Sequence, residues 1–294
     1  MSTEDADERF VDIETWPAER AVEAMLEGQR AAIEAVGQAS SAIAAAAEQA
    51  ALRLGGAGRI CYAGAGTSGR IGVQDGVELT PTFGWPERRL AFLLAGGKDA
   101  MMRSVEGAED NAAAGQEAVR AAGLGAEDVL VGIAASGRTP FTIAAVEEAR
   151  RRRTLTIAMA NNEAAPLLRA ADHAILLDTG AETIAGSTRM KAGTAQKAAL
   201  NLLSTAIMLR LGLVYRGLMV NMRVSNAKLR RRAEAMIADV ADVSIDQAAG
   251  ALDAANGDIR AAILVALGMP FVEARALLAS GERPFQALLS EMRE

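Results

Sequence analysis

The stretch Ile60-Cys-Tyr-Ala-Gly-Ala-Gly-Thr-Ser-Gly-Arg70 joins a short apolar run to three glycines and a Thr-Ser pair. The apolar run predicts a buried strand, and the glycines predict a tight turn into a helix. The Gly-x-Gly-x-x-Gly spacing also satisfies the dinucleotide-binding pattern, which is weak evidence when it occurs alone. Gly66, Thr67 and Ser68 place free amides and two hydroxyl groups at the predicted helix start, where an anion binds favourably. The stretch therefore predicts a phosphate-binding loop.

A second loop of the same kind follows the later apolar run Val129–Ala135. A dinucleotide site would need a single glycine loop and an acidic residue about 20 positions further on, which Glu87 could supply. A second hydroxyl-bearing loop instead favours a phosphosugar, because two such loops on neighbouring strands could hold one phosphate. This loop offers three polar side chains for binding: Ser136, Arg138 and Thr139.

Alternating apolar runs and helical patterns predict an α/β fold with a parallel sheet covered on both faces. Both loops fall at the carboxyl ends of predicted strands, where ligands bind in such sheets. The first predicted strand is the apolar run that starts at residue 60 and precedes the glycines, and the others cover residues 90–95, 129–135, 154–159 and 174–177. The predicted domains are an N-terminal arm with helices (1–54), a phosphosugar-binding domain (55–241) and a small bundle of three helices (242–294).

Other segments carry helical or loop patterns. Two helices are predicted between Pro17 and Leu54, with Gly28 or Gly37 as the break. Longer helices are predicted at residues 101–122, 190–211 and 220–240, and a loop at residues 81–86. The bundle resembles ubiquitin-associated-type helices, with Gly268-Met-Pro270 in a loop.

Composition narrows the possible functions. The net charge of −6 provides no broad basic field, which argues against nucleic-acid binding. No apolar run is long enough to span a membrane, and the amino terminus is polar, so the sequence predicts a soluble, cytoplasmic protein. One cysteine and one histidine leave no zinc-binding set, and no nucleophile elbow is present. Carboxylates are therefore the leading candidates for proton transfer, with no metal or cofactor.

Several segments resemble the N-acetylmuramic acid 6-phosphate etherases, a family with a sugar isomerase (SIS) domain. The resemblance runs from about residue 15 to the C-terminus. It implies an SIS-type parallel sheet and cleavage of the D-lactyl ether of N-acetylmuramate 6-phosphate. The products would be N-acetylglucosamine 6-phosphate and D-lactate, in peptidoglycan recycling. The matching segments are Ala63–Arg70, Glu106–Asn111, Gly132–Pro140 and the highly specific Gly186–Lys197.

The resemblance also assigns roles to residues. Glu78 aligns with the family's acid, although the neighbouring Ser, Cys and first Pro of the family pattern are replaced here. Glu109 aligns with the second family glutamate and is expected to act as the base. The start of the Gly186–Lys197 segment could bind an anionic substrate or pair with acids at a subunit contact. Its candidate binding residues are Ser187, Thr188 and Lys191.

The spacing between the first loop and Glu78 poses a geometric problem. If residues 68–78 form one straight helix, Glu78 lies about 15 Å from its start, too far for one hexose phosphate to bridge easily. Either Gly72 and Gly76 bend the segment back, or Glu78 reaches the site of a second subunit in a homodimer. Two rival functions use the same fold: a non-catalytic sugar-phosphate regulator, and an aldose–ketose phosphosugar isomerase.

Overall fold

A computed structural model describes residues 2–280 and 285–292. Five parallel strands form one sheet in the order β2-β1-β3-β4-β5. Every residue of β1, β3 and β4 is buried, as expected where both faces of a parallel sheet are covered. The predicted parallel α/β fold is therefore confirmed. The strands are β1 (Ile60–Gly64), β2 (Leu90–Leu94), β3 (Val129–Ile133), β4 (Leu155–Ala160) and β5 (His173–Leu176).

Helices precede, separate and follow the strands. The predicted N-terminal pair is present, but the break lies at Ala39 and the first helix runs through both Gly28 and Gly37. The helices around the sheet are α1 (Ala18–Gln38), α2 (Ser40–Leu54), α3 (Gly66–Phe83), α4 (Ala112–Ala122), α5 (Pro140–Arg151), α6 (Pro166–Ala170) and α7 (Lys191–Arg210). The remaining helices are α8 (Ala227–Ala241), α9 (Ile245–Ala254), α10 (Ile259–Ala266), α11 (Phe271–Ser280) and α12 (Phe285–Glu291).

Contacts divide the chain into two compact units. One contains the residues up to Gly76 together with Arg88–Ile207, and the other contains Val77–Glu87 together with the residues from Met208 onward. The second unit has its own hydrophobic core, which includes Ile237 of α8 as well as side chains of α9, α10 and α12. The C-terminal bundle therefore has more than three helices. The predicted domain ranges 1–54, 55–241 and 242–294 remain a prediction, and their ends at residues 1, 293 and 294 lie outside the described residues.

The prediction of one helix over residues 101–122 is wrong in its first half. Only α4 is an α-helix there, and two 3₁₀ turns, Lys98–Met101 and Ala108–Asp110, precede it. Gly107 adopts a φ of +69°, which an α-helix excludes. Asn111 then begins α4, because its side chain accepts a hydrogen bond from the Ala114 amide at 2.9 Å. Glu109 consequently lies on a turn.

Two further boundaries differ from the predictions. The loop predicted at residues 81–86 begins late, because α3 continues through Pro81 to Phe83. Proline has no amide hydrogen to donate to the carbonyl four residues earlier, so the helix lacks that bond at Pro81. The helix predicted from residue 220 begins only at Ala227, where the Asn226 side chain accepts a hydrogen bond from the Leu229 amide at 2.9 Å.

Gly115 fixes how closely α4 approaches α5. A Cβ atom at this position would lie 2.2 Å from the Phe141 carbonyl oxygen. We expect Gly115→Ala to lower the free energy of unfolding by about 1–3 kcal/mol, because the backbone must move apart. The matched control is Gly37→Ala in α1, which has no atom within 4 Å and should gain up to about 1 kcal/mol. Urea unfolding measures both, and equal effects would contradict this account of the packing.

Candidate active site

The first loop brings the backbones of β1 and α3 into contact. A Cβ atom on Gly69 would lie 2.8 Å from the Gly64 carbonyl oxygen, so a larger residue would push the helix away. Gly66 adopts a φ of +52°, which favours glycine. Gly66 is exposed, Thr67 is half-buried and Ser68 is only 8% exposed. The loop therefore presents Gly66 and Thr67 to solvent, whereas the predicted ligand Ser68 is enclosed.

A cleft of about 370 Å³ opens beside this loop and brings it together with Glu109. The Glu109 side chain is exposed, and among the described residues it has no hydrogen bond or ion pair. An unpaired carboxylate at the edge of a cleft can accept a proton from a bound molecule. The polar side chains lining the cleft are Thr67, Arg70, Arg103, Ser104, Glu106 and Glu109.

The segment that carries Glu109 is held in place by Arg70 of α3. Arg70 Nε donates to the Ala100 carbonyl at 2.9 Å, and Nη2 donates to the Arg103 carbonyl at 3.0 Å. The Arg103 amide also donates to the Asp99 carbonyl at 3.1 Å, which closes a turn. These bonds connect the first loop's helix to the backbone that leads to Glu109.

The second loop lies between β3 and α5. Ser136 Oγ accepts a hydrogen bond from the Arg138 amide at 3.2 Å, and Gly137 has a φ of +63°. Thr139 precedes the first turn of α5, and its side chain does not cap the helix. Ser136 and Arg138 line a second cleft of about 290 Å³, which does not include the first loop. The two hydroxyl-bearing loops thus line separate clefts.

The N-terminal segment, predicted as a polar arm, contributes to this second cleft. Ser2 and Glu4 are among the residues that line it. Thr3 is fully buried: its amide donates to Asn162 Oδ1 at 3.0 Å and its carbonyl accepts from the Gly186 amide at 3.1 Å. The arm is therefore hydrogen-bonded to the loop that follows β4 and to the segment that follows β5.

The Gly186–Lys197 segment lies next to the first loop. A Cβ atom on Gly193 would be 3.5 Å from Thr67 Cγ2. The buried Glu182 carboxylate accepts from the backbone amides of Lys191 and Ala192, each at 2.9 Å, at the start of α7. Lys191 itself is 6% exposed, with its side chain against Gly28 of α1. The predicted binding residues Ser187 and Thr188 are half-buried.

Lys191 does not line either of these clefts. Its positive charge contributes to lowering the pKa of Asp7, after the larger effect of a hydrogen bond from Arg9. The nearest support for Lys191 is therefore this effect on Asp7, and its predicted roles in substrate binding or at a subunit contact stay predictions.

Glu78 is exposed on α3. The hydrophobic residues near it in the sequence differ in their exposure. Leu79 and Phe83 are buried, and Val77 is 48% exposed. Successive residues of a helix point in different directions, so adjacent apolar residues need not enclose Glu78. Gly72 and Gly76, one of the two alternatives for bringing Glu78 towards the first loop, do not interrupt α3.

Asp75, in the same helix, is a buried carboxylate that sequence reasoning did not single out. It accepts hydrogen bonds from Tyr62 Oη at 2.8 Å, Asn201 Nδ2 at 2.7 Å and Ser204 Oγ at 3.1 Å. Burial raises the pKa of Asp75 above its ordinary value of 3.8, and the three donors partly oppose this shift. The bonds join α3 to β1 and α7. They therefore hold in place the helix that carries the first loop's candidate ligands at its start.

Metal-ligating chemistry has little support in the described part of the chain, where no three His, Cys, Asp or Glu side chains lie close enough to hold an ion. Burial raises the pKa of the Cys61 thiol well above its ordinary value of 9.0, so it is not poised to act as a thiolate ligand. None of the helices in residues 2–280 and 285–292 is long and apolar enough to cross a bilayer.

Arg70 and Arg103 are the two arginines of the cleft, and the sequence assigned neither of them a role. Arg70 belongs to the quoted first loop, but no local pattern distinguishes it from a solvated helix residue. Arg103 lies in a segment wrongly predicted as helical. No sequence signal places it beside Glu109, because the turns around Gly107 determine that proximity.

Comparison with known proteins gives consistent matches. Residues 39–150 match the glucokinase regulatory protein N-terminal SIS domain, and residues 109–206 match the SIS domain. The N-acetylmuramic acid 6-phosphate etherase of Deinococcus radiodurans is 44% identical over 92% of this chain and 90% of its own length. The enzyme of the same name from Symbiobacterium thermophilum is 51% identical over 73% of this chain and 71% of its own length.

A solved structure shares the fold. A candidate phosphosugar isomerase involved in capsule formation, from Bacteroides fragilis, superposes with a TM-score of 0.50 at 19% identity. The match covers 67% of this chain and 94% of that one. At this identity the likeness supports the SIS-type fold alone.

Proposed function

This chain belongs to the N-acetylmuramic acid 6-phosphate etherase family, and we propose that Glu109 is the base and Glu78 the acid of its ether-cleaving reaction. It is a carbon–oxygen lyase that cleaves the D-lactyl ether of N-acetylmuramate 6-phosphate. The products are N-acetylglucosamine 6-phosphate and D-lactate, as peptidoglycan amino-sugar recycling requires. The observation that best supports the proposed base is the exposed, unpaired Glu109 carboxylate in the cleft beside Thr67.

The reaction needs two carboxyl groups in different protonation states. When the sugar ring opens, C2 lies next to the C1 aldehyde, and its proton becomes acidic. Glu109 removes this proton, the C2–C3 double bond forms, and the C3–O bond breaks. Glu78 gives a proton to the departing lactate oxygen, and water then adds across the double bond, returning a proton to C2 and a hydroxyl group to C3. The base must begin ionised and the acid protonated.

The binding residues of the sugar phosphate remain part of the proposal. Gly66 and Thr67 are supported as ligands by their position in the cleft with Glu109. The Ser136–Thr139 loop, at the carboxyl end of β3, offers the free Thr139 hydroxyl and the start of α5 to a phosphate. Ser187, Thr188 and Ser68 stay candidates, and Lys191 is the least supported because its side chain is buried against α1.

We propose that the active protein is a homodimer in which Glu78 completes the site of the partner subunit. Two observations support this arrangement. Neither Gly72 nor Gly76 interrupts α3, and Glu78 is exposed without a partner among the described residues. A two-fold axis would give two equivalent shared sites. We also place the protein in the cytoplasm, where phosphorylated amino sugars are processed.

The direct test is incubation of the purified protein with N-acetylmuramate 6-phosphate and enzymatic assay of D-lactate. We expect release of one D-lactate for each sugar consumed. Binding without release would instead support the regulator suggested by the match to the glucokinase regulatory protein. Conversion to a ketose phosphate without lactate would support an aldose–ketose isomerase.

A further inference from the structure

The substrate carries a carboxylate that its sugar product lacks. This carboxylate belongs to the lactyl group, whose ether oxygen is attached to C3, the carbon next to the C2 proton. If Glu109 reaches that proton, as the proposed function requires, the lactyl carboxylate must lie in or beside the same cleft. The acidic side chains Glu106 and Glu109 in this cleft would repel it. A nearby cation would offset this repulsion and favour binding of the lactyl carboxylate.

Two arginines line the cleft, and their side chains differ in the hydrogen bonds they make. Arg70 already donates two hydrogen bonds to the backbone carbonyls of Ala100 and Arg103. The Arg103 side chain is exposed, and no carboxylate of the described residues lies within ion-pair distance of it. Arg70 is thus a positioning residue for the segment, and the Arg103 guanidinium is available to a ligand.

We propose that Arg103 binds the lactyl carboxylate and makes the site selective for the lactyl ether over its product. A guanidinium group matches a carboxylate with two parallel hydrogen bonds, which a lysine ammonium group does not reproduce. Arg70 fixes the backbone that carries Arg103, so the Arg103 guanidinium group is held at the cleft that contains Glu109. The proposal rests on the etherase function and adds a residue that recognises the leaving group.

The first test compares two ligands on the Arg103→Leu variant. We expect KM for N-acetylmuramate 6-phosphate to rise about 10- to 100-fold, the loss typical of hydrogen bonds to a charged group. The dissociation constant of N-acetylglucosamine 6-phosphate, measured by calorimetry, should stay unchanged because this sugar has no lactyl group. The matched control is Arg232→Leu on the exposed surface of α8, which should alter neither quantity.

The second test changes the ligand instead of the protein. A substrate analogue with the lactyl carboxylate converted to an amide should have a KM about 10- to 100-fold higher on the wild-type enzyme. On Arg103→Leu the preference for the acid should be lost or reversed, because the cation is gone while Glu106 and Glu109 still repel the carboxylate. Arg103→Lys should restore only part of the preference.

The outcomes separate this proposal from the proposed function. Equal weakening of both sugars by Arg103→Leu would show a structural role, and unchanged KM for the lactyl sugar would show no role; either overturns the proposal. A wild-type protein that releases no D-lactate overturns the etherase function itself, whatever Arg103 does.

Discussion

Glu109→Gln is expected to abolish exchange of the substrate C2 proton with solvent and to reduce D-lactate release by about 100- to 10,000-fold. Glutamine has nearly the same shape as glutamate but cannot accept the proton. Because Glu109 is exposed and unpaired, the substitution should leave the free energy of unfolding nearly unchanged. Exchange is measured by NMR in deuterated water, and lactate by coupled assay.

The control for this variant is Glu117→Gln on the exposed surface of α4, eight residues further along and outside the cleft. It should retain both exchange and lactate release. Glu106 provides the sharper contrast, because it is a second exposed carboxylate that lines the same cleft. If Glu106→Gln loses exchange while Glu109→Gln retains it, the base is Glu106 and the assignment made here is wrong.

Mixed dimers of Glu78→Gln and Glu109→Gln subunits are expected to recover activity that neither variant has alone. In the shared arrangement, one of the two sites in a mixed dimer receives Glu109 from one subunit and Glu78 from the other. Its partner site receives neither carboxylate. An isolated mixed dimer should therefore release D-lactate at about half the wild-type rate. Two different affinity tags allow the mixed species to be purified before the assay.

Two further results decide between a shared and a single-chain site. A dimer of one Glu109→Gln subunit and one subunit with both substitutions has no complete site in either arrangement, and it should stay inactive. Inactive mixed dimers of the single variants would place Glu78 and Glu109 in the same chain. Glu78→Gln alone should lose lactate release; if it loses C2 exchange while Glu109→Gln keeps it, the acid and base are reversed.

Local sequence patterns predicted the elements that depend on neighbouring residues. The strand that ends at Gly64 and the helix that begins at Gly66 both appear where their residues indicated. The start of α9 is another local feature, a complete capping box in which Ser244 and Gln247 exchange side-chain and backbone hydrogen bonds. Such features involve groups only a few residues apart, so the local sequence is enough to predict them.

The wrong secondary-structure predictions concern residues in and around the candidate site. Residues 102–107 were predicted to be helical. Gly107 instead takes a left-handed conformation. Arg70 also donates a hydrogen bond to the Ala100 carbonyl, 30 residues further along the chain. Pro81 read as a loop but is accommodated in the last turn of α3. At residues 102–107 the long-range hydrogen bonds of Arg70 outweighed local propensity.

Residue types at fixed short spacings established the parallel α/β architecture and the two hydroxyl-bearing loops, and the resemblance to the etherases identified the family and the two candidate carboxylates. Only the tertiary structure decided that Thr67, Glu109 and the unpaired Arg103 line one cleft, that Ser136 lies in another, and that Glu78 is exposed. These facts depend on where distant loops cross the edge of the sheet. That path is set by backbone conformations at glycines and by hydrogen bonds between residues far apart in the chain, which no local pattern records.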